Sequence, residues 1–139
     1  MALAITLRPT IPDNEARTAF STLRRLGVAL LGLERAVLLL LDEAHAPADA
    51  LRAVRADESI FNVNTQQVAT EIVSEPKPGQ VWVATDIPDE VAIAGLGVAR
   101  RLTQWTLTGM SGPADSQTVQ EAVAALLCNP AVQHVVAHA

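Results

Sequence analysis

Apolar and polar positions alternate from Leu3 to Arg8, which predicts a strand, and Pro9 with Pro12 ends it. The spacing then changes to that of a helix. Ala16, Ala19, Phe20, Leu23 and Leu26 fall on one face, with Asp13 or Asn14 placed to cap the first turn and Gly27 to stop the last. From Val28 to Leu41 the chain is apolar except at Glu34-Arg35, and this predicts two antiparallel strands, 28–33 and 36–42. Residues 37–41, Val-Leu-Leu-Leu-Leu, have no polar alternation, so a strand there must be covered on both faces, by helices on one and a second sheet on the other. Pro47, with Asp49 in the first turn, opens a helix with Leu51, Val54 and Ile60 inward, and β-branched residues predict a strand within 63–73.

Ser74-Glu75-Pro76-Lys77-Pro78-Gly79 reads as a linker, after which the script resumes. A strand is expected over 80–85, a helix over 89–102 with Gly95 and Gly97 inside it, and a shortened middle strand region over 103–110. A turn at 109–112 leads to a helix capped by Asp115 or Ser116, whose Val119, Ala122, Val123, Leu126 and Leu127 make an apolar stripe. Asn129-Pro130 ends that helix, and 132–137 is the last strand.

The halves share motifs. Ile87-Pro88-Asp89 and Arg100-Arg101-Leu102 repeat Ile11-Pro12-Asp13 and Arg24-Arg25-Leu26, both at 87 − 11 = 100 − 24 = 76 residues. Asn62 to Ala69 lies opposite Asn129 to Val136, at 129 − 62 = 67. Two motifs at one offset argue for an internal duplication. The expected fold class is α+β: two tandem ferredoxin-like β-α-β-β-α-β units, 1–73 and 80–139, with the 74–79 linker between them and their antiparallel sheets packed against each other. A half of about 70 residues is marginal alone, so the halves should lean on each other.

Composition narrows the functional classes. Net charge is −5 and aromatics are 3% of residues, which makes nucleic acid and anionic membranes poor partners and leaves no base-stacking platform. The single Cys128 excludes an intrachain disulfide framework, and its place beside an apolar helix face reads as a core thiol. No N-terminal segment has the pattern of a secretory signal, so a cytoplasmic location is expected. His45, His134 and His138 read as surface or terminal histidines without a third metal ligand, and Asp42-Glu43 or Asp86 with Asp89-Glu90 read as caps and solvated turns. Gly109-Met110-Ser111-Gly112 lacks the basic residues of a nucleic-acid loop, and no phosphate-binding loop is present. No catalytic, cofactor-binding or metal-ligating residue is therefore assigned. Arg24-Arg25 and Arg100-Arg101 suit helix C-termini, with a functional reading as paired partner-binding patches.

Leu126-Leu127-Cys128-Asn129-Pro130-Ala131-Val132-Gln133, with the Leu26-Gly27 helix stop, resembles PurS, the small subunit of phosphoribosylformylglycinamidine synthase. The family's Asp-Pro-Gln-Gly lead into its first helix is here Ile-Pro-Asp-Asn or Ile-Pro-Asp-Glu, and its Arg-x-Gly-Lys hairpin signature is absent from both halves. The resemblance implies a tandem pair of PurS-like units: a non-catalytic subunit without cofactor, bridging synthetase and glutaminase in purine biosynthesis. Asn129 and Pro130 of the resembling stretch then join the Arg24, Arg25, Arg100 and Arg101 patches as expected partner-facing residues. PurS-like chains dimerise, which leaves a homodimer open. The rival reading is a small-molecule-binding regulatory protein of the ACT-like type, whose paired units bind amino acids between them. An enzyme of the dimeric ferredoxin-like barrel kind comes third, because no His or acid cluster stands out.

Overall fold

The structure is a computed structural model that describes residues 2–42 and 45–139, so Glu43 of the Asp42-Glu43 pair lies outside the described residues. The elements run β1 (Ala2–Pro9), α1 (Asn14–Arg25), β2 (Gly32–Leu41), α2 (Pro47–Arg55), β3 (Gln66–Val73) and β4 (Gln80–Thr85). They continue with β5 (Glu90–Ile93), β6 (Gly97–Gly109), β7 (Gly112–Pro113), α3 (Ser116–Ala122), a π-helical turn (Val123–Leu127) and β8 (Gln133–His138). The chain is α+β. Among the described residues eight strands form one antiparallel sheet in the order β3-β1-β2-β6-β4-β8, with β5 and β7 pairing to β6.

Three expectations are corrected by this order. Residues 28–33 and 36–42 are not two strands: β2 runs through Glu34-Arg35 without a break. The strand tolerates the charges because Glu34 is exposed and the Arg35 guanidinium is met by two carboxylates. The helix expected over 89–102 is the β5–β6 hairpin. Gly95 and Gly97 stand at φ +82° and +97°, a left-handed backbone that turns the chain and that no helix contains. The first half is thus β-α-β-α-β and the second has a hairpin where the first has α1, so neither follows the β-α-β-β-α-β order of a ferredoxin-like unit.

The chain contributes to two compact units, each drawing on residues from both sides of the 74–79 linker. Unit 1 comprises Met1–Pro12, Ala36–Ser74 and Pro88–Leu102. Its core joins Leu3, Ile5 and Leu7 of β1, Leu39 and Leu41 of β2, Ala50 and Val54 of α2, Phe61, and Ile93 and Ala99 of the hairpin. Ala4, Leu38 and Leu40, which point to the opposite side of the same strands, are also buried, as the unbroken apolar run requires. Unit 2 comprises Asp13–Arg35, Glu75–Ile87 and Thr103–Ala139. Its core joins Ala16 and Leu23 of α1, Val28, Leu30, Val81 and Val83 of β4, Trp105 and Leu107 of β6, and Ala114, Val119, Ala122 and Leu127. Trp82 points away from that cluster and donates its indole N–H to Gln104 Oε1 at 3.1 Å, both side chains buried, so the polar handle of the ring is satisfied.

Local rules explain the helix ends. Asp13 Oδ1 accepts from Ala16 N–H at 3.2 Å and Asp115 Oδ1 from Thr118 N–H at 2.7 Å, each an N-cap. Gly27, at φ +91°, closes α1 with its N–H on the Arg24 carbonyl. The stripe expected on the last helix is displaced: Leu126 is 41% exposed while Leu127 is buried. The π-helical turn adds a residue to the helical repeat, so the core position after Ala122 falls to Leu127.

Hydrogen bonds recur at the offsets seen in the sequence. Thr10 N–H donates to the Thr65 carbonyl and Asp86 N–H to the Val132 carbonyl, both at 2.8 Å. The donors differ by 86 − 10 = 76 and the acceptors by 132 − 65 = 67. The register repeats as well: Pro9 pairs with Gln66 and Thr85 with Gln133, Leu7 with Val68 and Val83 with Val135. Beyond Val83 the β4–β8 ladder shifts by one residue at a bulge.

Candidate functional site

The Arg35 side chain meets three other side chains. On β2 it reaches the first turn of α1, where Nε and Nη2 donate to Asp13 Oδ2 and Oδ1, both at 3.0 Å, and Nη1 donates to Glu15. Its guanidinium also lies over the Trp105 ring, 5.9 Å from the centroid. A planar fork matched to one carboxylate and stacked on an aromatic face is an arginine-specific arrangement. Asp13 thereby does two jobs, capping α1 and tying it to the strand. Asp89, the counterpart of Asp13, meets Arg101 at a looser 3.5 Å with both side chains over 40% exposed.

This difference has a measurable consequence. Asp13→Ala is expected to lower stability by about 2 kcal/mol, roughly half from the cap and half from the pair. Asp13→Asn, which keeps the cap, should lose about half as much, and Asp89→Ala should lie within about 0.5 kcal/mol of the parent. Urea titrations of the three variants would measure this, and a larger loss for Asp89→Ala than for Asp13→Ala would contradict the ranking.

The residues assigned to partners from the sequence lie on different kinds of element. Arg24 and Arg25 are exposed in the last turn of α1, Arg24 lying 5.6 Å from the Phe20 ring centroid. Arg100 and Arg101 are exposed on β6. The shared Arg-Arg-Leu motif therefore sits on a helix end in one case and on a strand in the other. In the strand register Leu7 pairs with Val37 and Val83 with Thr103, so the β6 counterpart of Arg35 is Arg101, at 103 − 37 = 101 − 35 = 66.

Asn129 and Pro130 belong to an ordered turn. Asn129 N–H donates to Gln133 Oε1 at 2.8 Å, and the Asn129 side-chain oxygen accepts from Ala131 N–H at 3.1 Å. Its carbonyl accepts from Val132 and Gln133 N–H. The same four bonds form at Asn62, with Gln66 Oε1 at 2.9 Å and Asn64 N–H at 2.9 Å on the side chains, and the Asn62 carbonyl accepting from Thr65 and Gln66. Asparagine and glutamine four residues apart thus close a turn before β3 and again before β8, and the spacing was the readable signal. At the second turn, Asp86 Oδ1 lies 2.9 Å from His134 Nδ1, both side chains about half exposed.

Cys128 precedes this turn and is half-buried. Burial pushes its thiol up from the ordinary range, and the Asp86 carboxylate adds to the effect by disfavouring a nearby thiolate. The thiolate is the nucleophile, so Cys128 should alkylate more slowly than free cysteine at pH 7.5. Asp86→Asn should speed that reaction, as timed iodoacetamide labelling would record; a rate above that of free cysteine would refute the assignment.

One concavity accompanies these groups in unit 2: an open apolar cleft of about 270 Å³ lined by Val81, Val119, Gln120, Val123, Ala124, Val135 and His138. In unit 1 the corresponding helix lies along its strand, with Thr70 Oγ1 donating to the Pro47 carbonyl at 2.8 Å. Among the described residues no group of three or more His, Cys, Asp or Glu is placed to hold a metal ion, and no helix is long and apolar enough to cross a membrane. Comparison with protein-family models, with curated proteins and with solved structures finds no match to this chain.

Proposed function

We propose that the chain is a non-catalytic interaction subunit resembling PurS, bridging a synthetase and a glutaminase in formylglycinamidine ribonucleotide synthesis. The observation that carries this reading is the Asn129–Gln133 turn: the stretch that bears the resemblance is an ordered, exposed surface element, built a second time at Asn62–Gln66. A turn closed by its own side chains holds its outward residues in fixed positions at little entropic cost, which suits docking. Arg24, Arg25, Arg100, Arg101, Asn129 and Pro130 are all exposed and available to protein partners.

The test is a pull-down from native cytoplasm with this chain as bait, partners being identified by mass spectrometry. Recovery of synthetase and glutaminase, weakened by Asn129→Ala, supports the bridging role. Recovery of neither sinks it. A second reading, an ACT-like regulatory protein that binds a free amino acid, rests on the apolar cleft bordered by Val81 and His138. An amino acid that raises the melting temperature, with loss of the shift in Val119→Trp, would favour that reading over the first.

A further inference from the structure

The half-chains before and after the linker do not coincide with the two packed units, and the mismatch is reciprocal. Ala16 and Leu23, on the α1 segment that joins β1 to β2, are buried with Val81, Val83, Trp105 and Leu107 of the second half. Ile93 and Ala99, on the hairpin segment after β4, are buried with Leu3, Ile5, Leu7 and Leu39 of the first half. In both halves the exchanged segment is the one between the first strand and the strand that pairs with it. The remaining parts repeat: β1 with β3 over Leu7–Pro9 and β4 with β8 over Val83–Thr85 pair in the same register, up to the bulge at Trp82, and the Asn-Gln turn precedes each last strand. The sheet order also places the first strand of each half, β1 or β4, between that half's last strand, β3 or β8, and the long strand β2 or β6.

We infer that the chain is two copies of one β-x-β-α-β protomer that have exchanged their x segments, so that each half is the obligatory partner of the other. The physical reason is burial. A half without its exchanged counterpart exposes the core positions that Leu23 or Ile93 cover, and a domain of about 70 residues is marginal enough that an opened core leaves it unstable alone. The exchange also accounts for a difference in length. Asp13 to Arg35 spans 22 residues and Asp89 to Arg101 spans 12, because one copy sends a helix across and the other a hairpin. Each x segment answers to the core that receives it and not to its own copy, so the two were free to diverge in secondary structure while the strands kept their register.

The experiment uses the full chain with a protease site inserted between the exposed residues Ser74 and Glu75, cut after folding. The two fragments are expected to co-elute as one particle of the uncut size, and the melting temperature of the cut protein should fall on dilution, as mass action requires when unfolding and dissociation coincide. Separation into two fragments that each keep a cooperative melting transition would overturn the inference. A second measurement, hydrogen exchange on the uncut chain, separates exchange from mere adhesion of halves. Leu23→Ala should speed exchange by more than about tenfold in β4 and β8 of the second half, and Ile93→Ala should act most on β1 and β3 of the first. Effects largest within the mutated residue's own half would refute the exchange.

Discussion

Leu39→Asp is expected to leave no folded protein at 25 °C. Leu39 is 1% exposed and packs with Leu3, Ile5 and Leu7 in the core of unit 1, while its neighbours Leu38 and Leu40 are buried on the other side of the strand. A carboxyl placed there sits among the apolar side chains of that core, and burying it costs several kcal/mol, whether as an unpaired charge or, once protonated, as an unsatisfied polar group. The lost apolar burial adds about 2 kcal/mol more. Against a total stability of about 5–15 kcal/mol, the sum is enough to unfold a chain of this size. Circular dichroism melting and gel filtration would measure it, and an unchanged transition with unchanged elution would show that β2 is not buried on both faces. Leu39→Ala is the graded control, expected to cost about 2–5 kcal/mol while leaving a folded chain.

Gly79→Ala carries the second large effect. Gly79 closes the linker at φ +80°, and its carbonyl accepts from Leu107 N–H at 2.8 Å, so the backbone there is held against β6. An added methyl group would stand 2.7 Å from the Leu107 carbonyl oxygen and 3.1 Å from Pro113 Cβ. Left-handed backbone costs an L-residue about 1–2 kcal/mol, and forcing a backbone contact apart adds about as much again, for a total of about 2–4 kcal/mol. Gly95→Ala separates the two contributions: it shares the positive φ, at +82°, but nothing lies within 4 Å of the added carbon. Its loss should stay near 1 kcal/mol, and equal losses at the two positions would mean that the Leu107 contact is not rigid.

What could be read from the sequence follows the range of the interactions. Local rules placed a cap at Asp13 or Asn14, the Gly27 stop, the ends of β1 and the end of the last helix at Asn129-Pro130, because each is decided by residues within a few positions. The β5–β6 hairpin was misread as a helix because Ala92, Ala94, Ala99 and Leu96 favour helix locally. Gly95 and Gly97 between Ile93 and Val98 were the available turn signal. The Asp13–Arg35 pair joins residues 35 − 13 = 22 apart, and Arg35 could be seen only as a polar interruption in an apolar run. The Arg-Arg-Leu match at offset 76 was misleading, since the register aligns Arg101 with Arg35. Which half supplies the last core residues of each unit depends on tertiary packing, and no local pattern encodes it.

The ladders also bring the two ends of each half together. Ala2 pairs with Val73, and Ala139 N–H donates to the Gln80 carbonyl at 3.4 Å, so in each copy the first and last residues meet at one end of adjacent strands. On the inferred exchange of two copies, the stretch from Ser74 to Gly79 is all that carries one copy into the next, with no element lengthened to span a gap. A substitution in either exchanged segment must therefore suit the core of the other half.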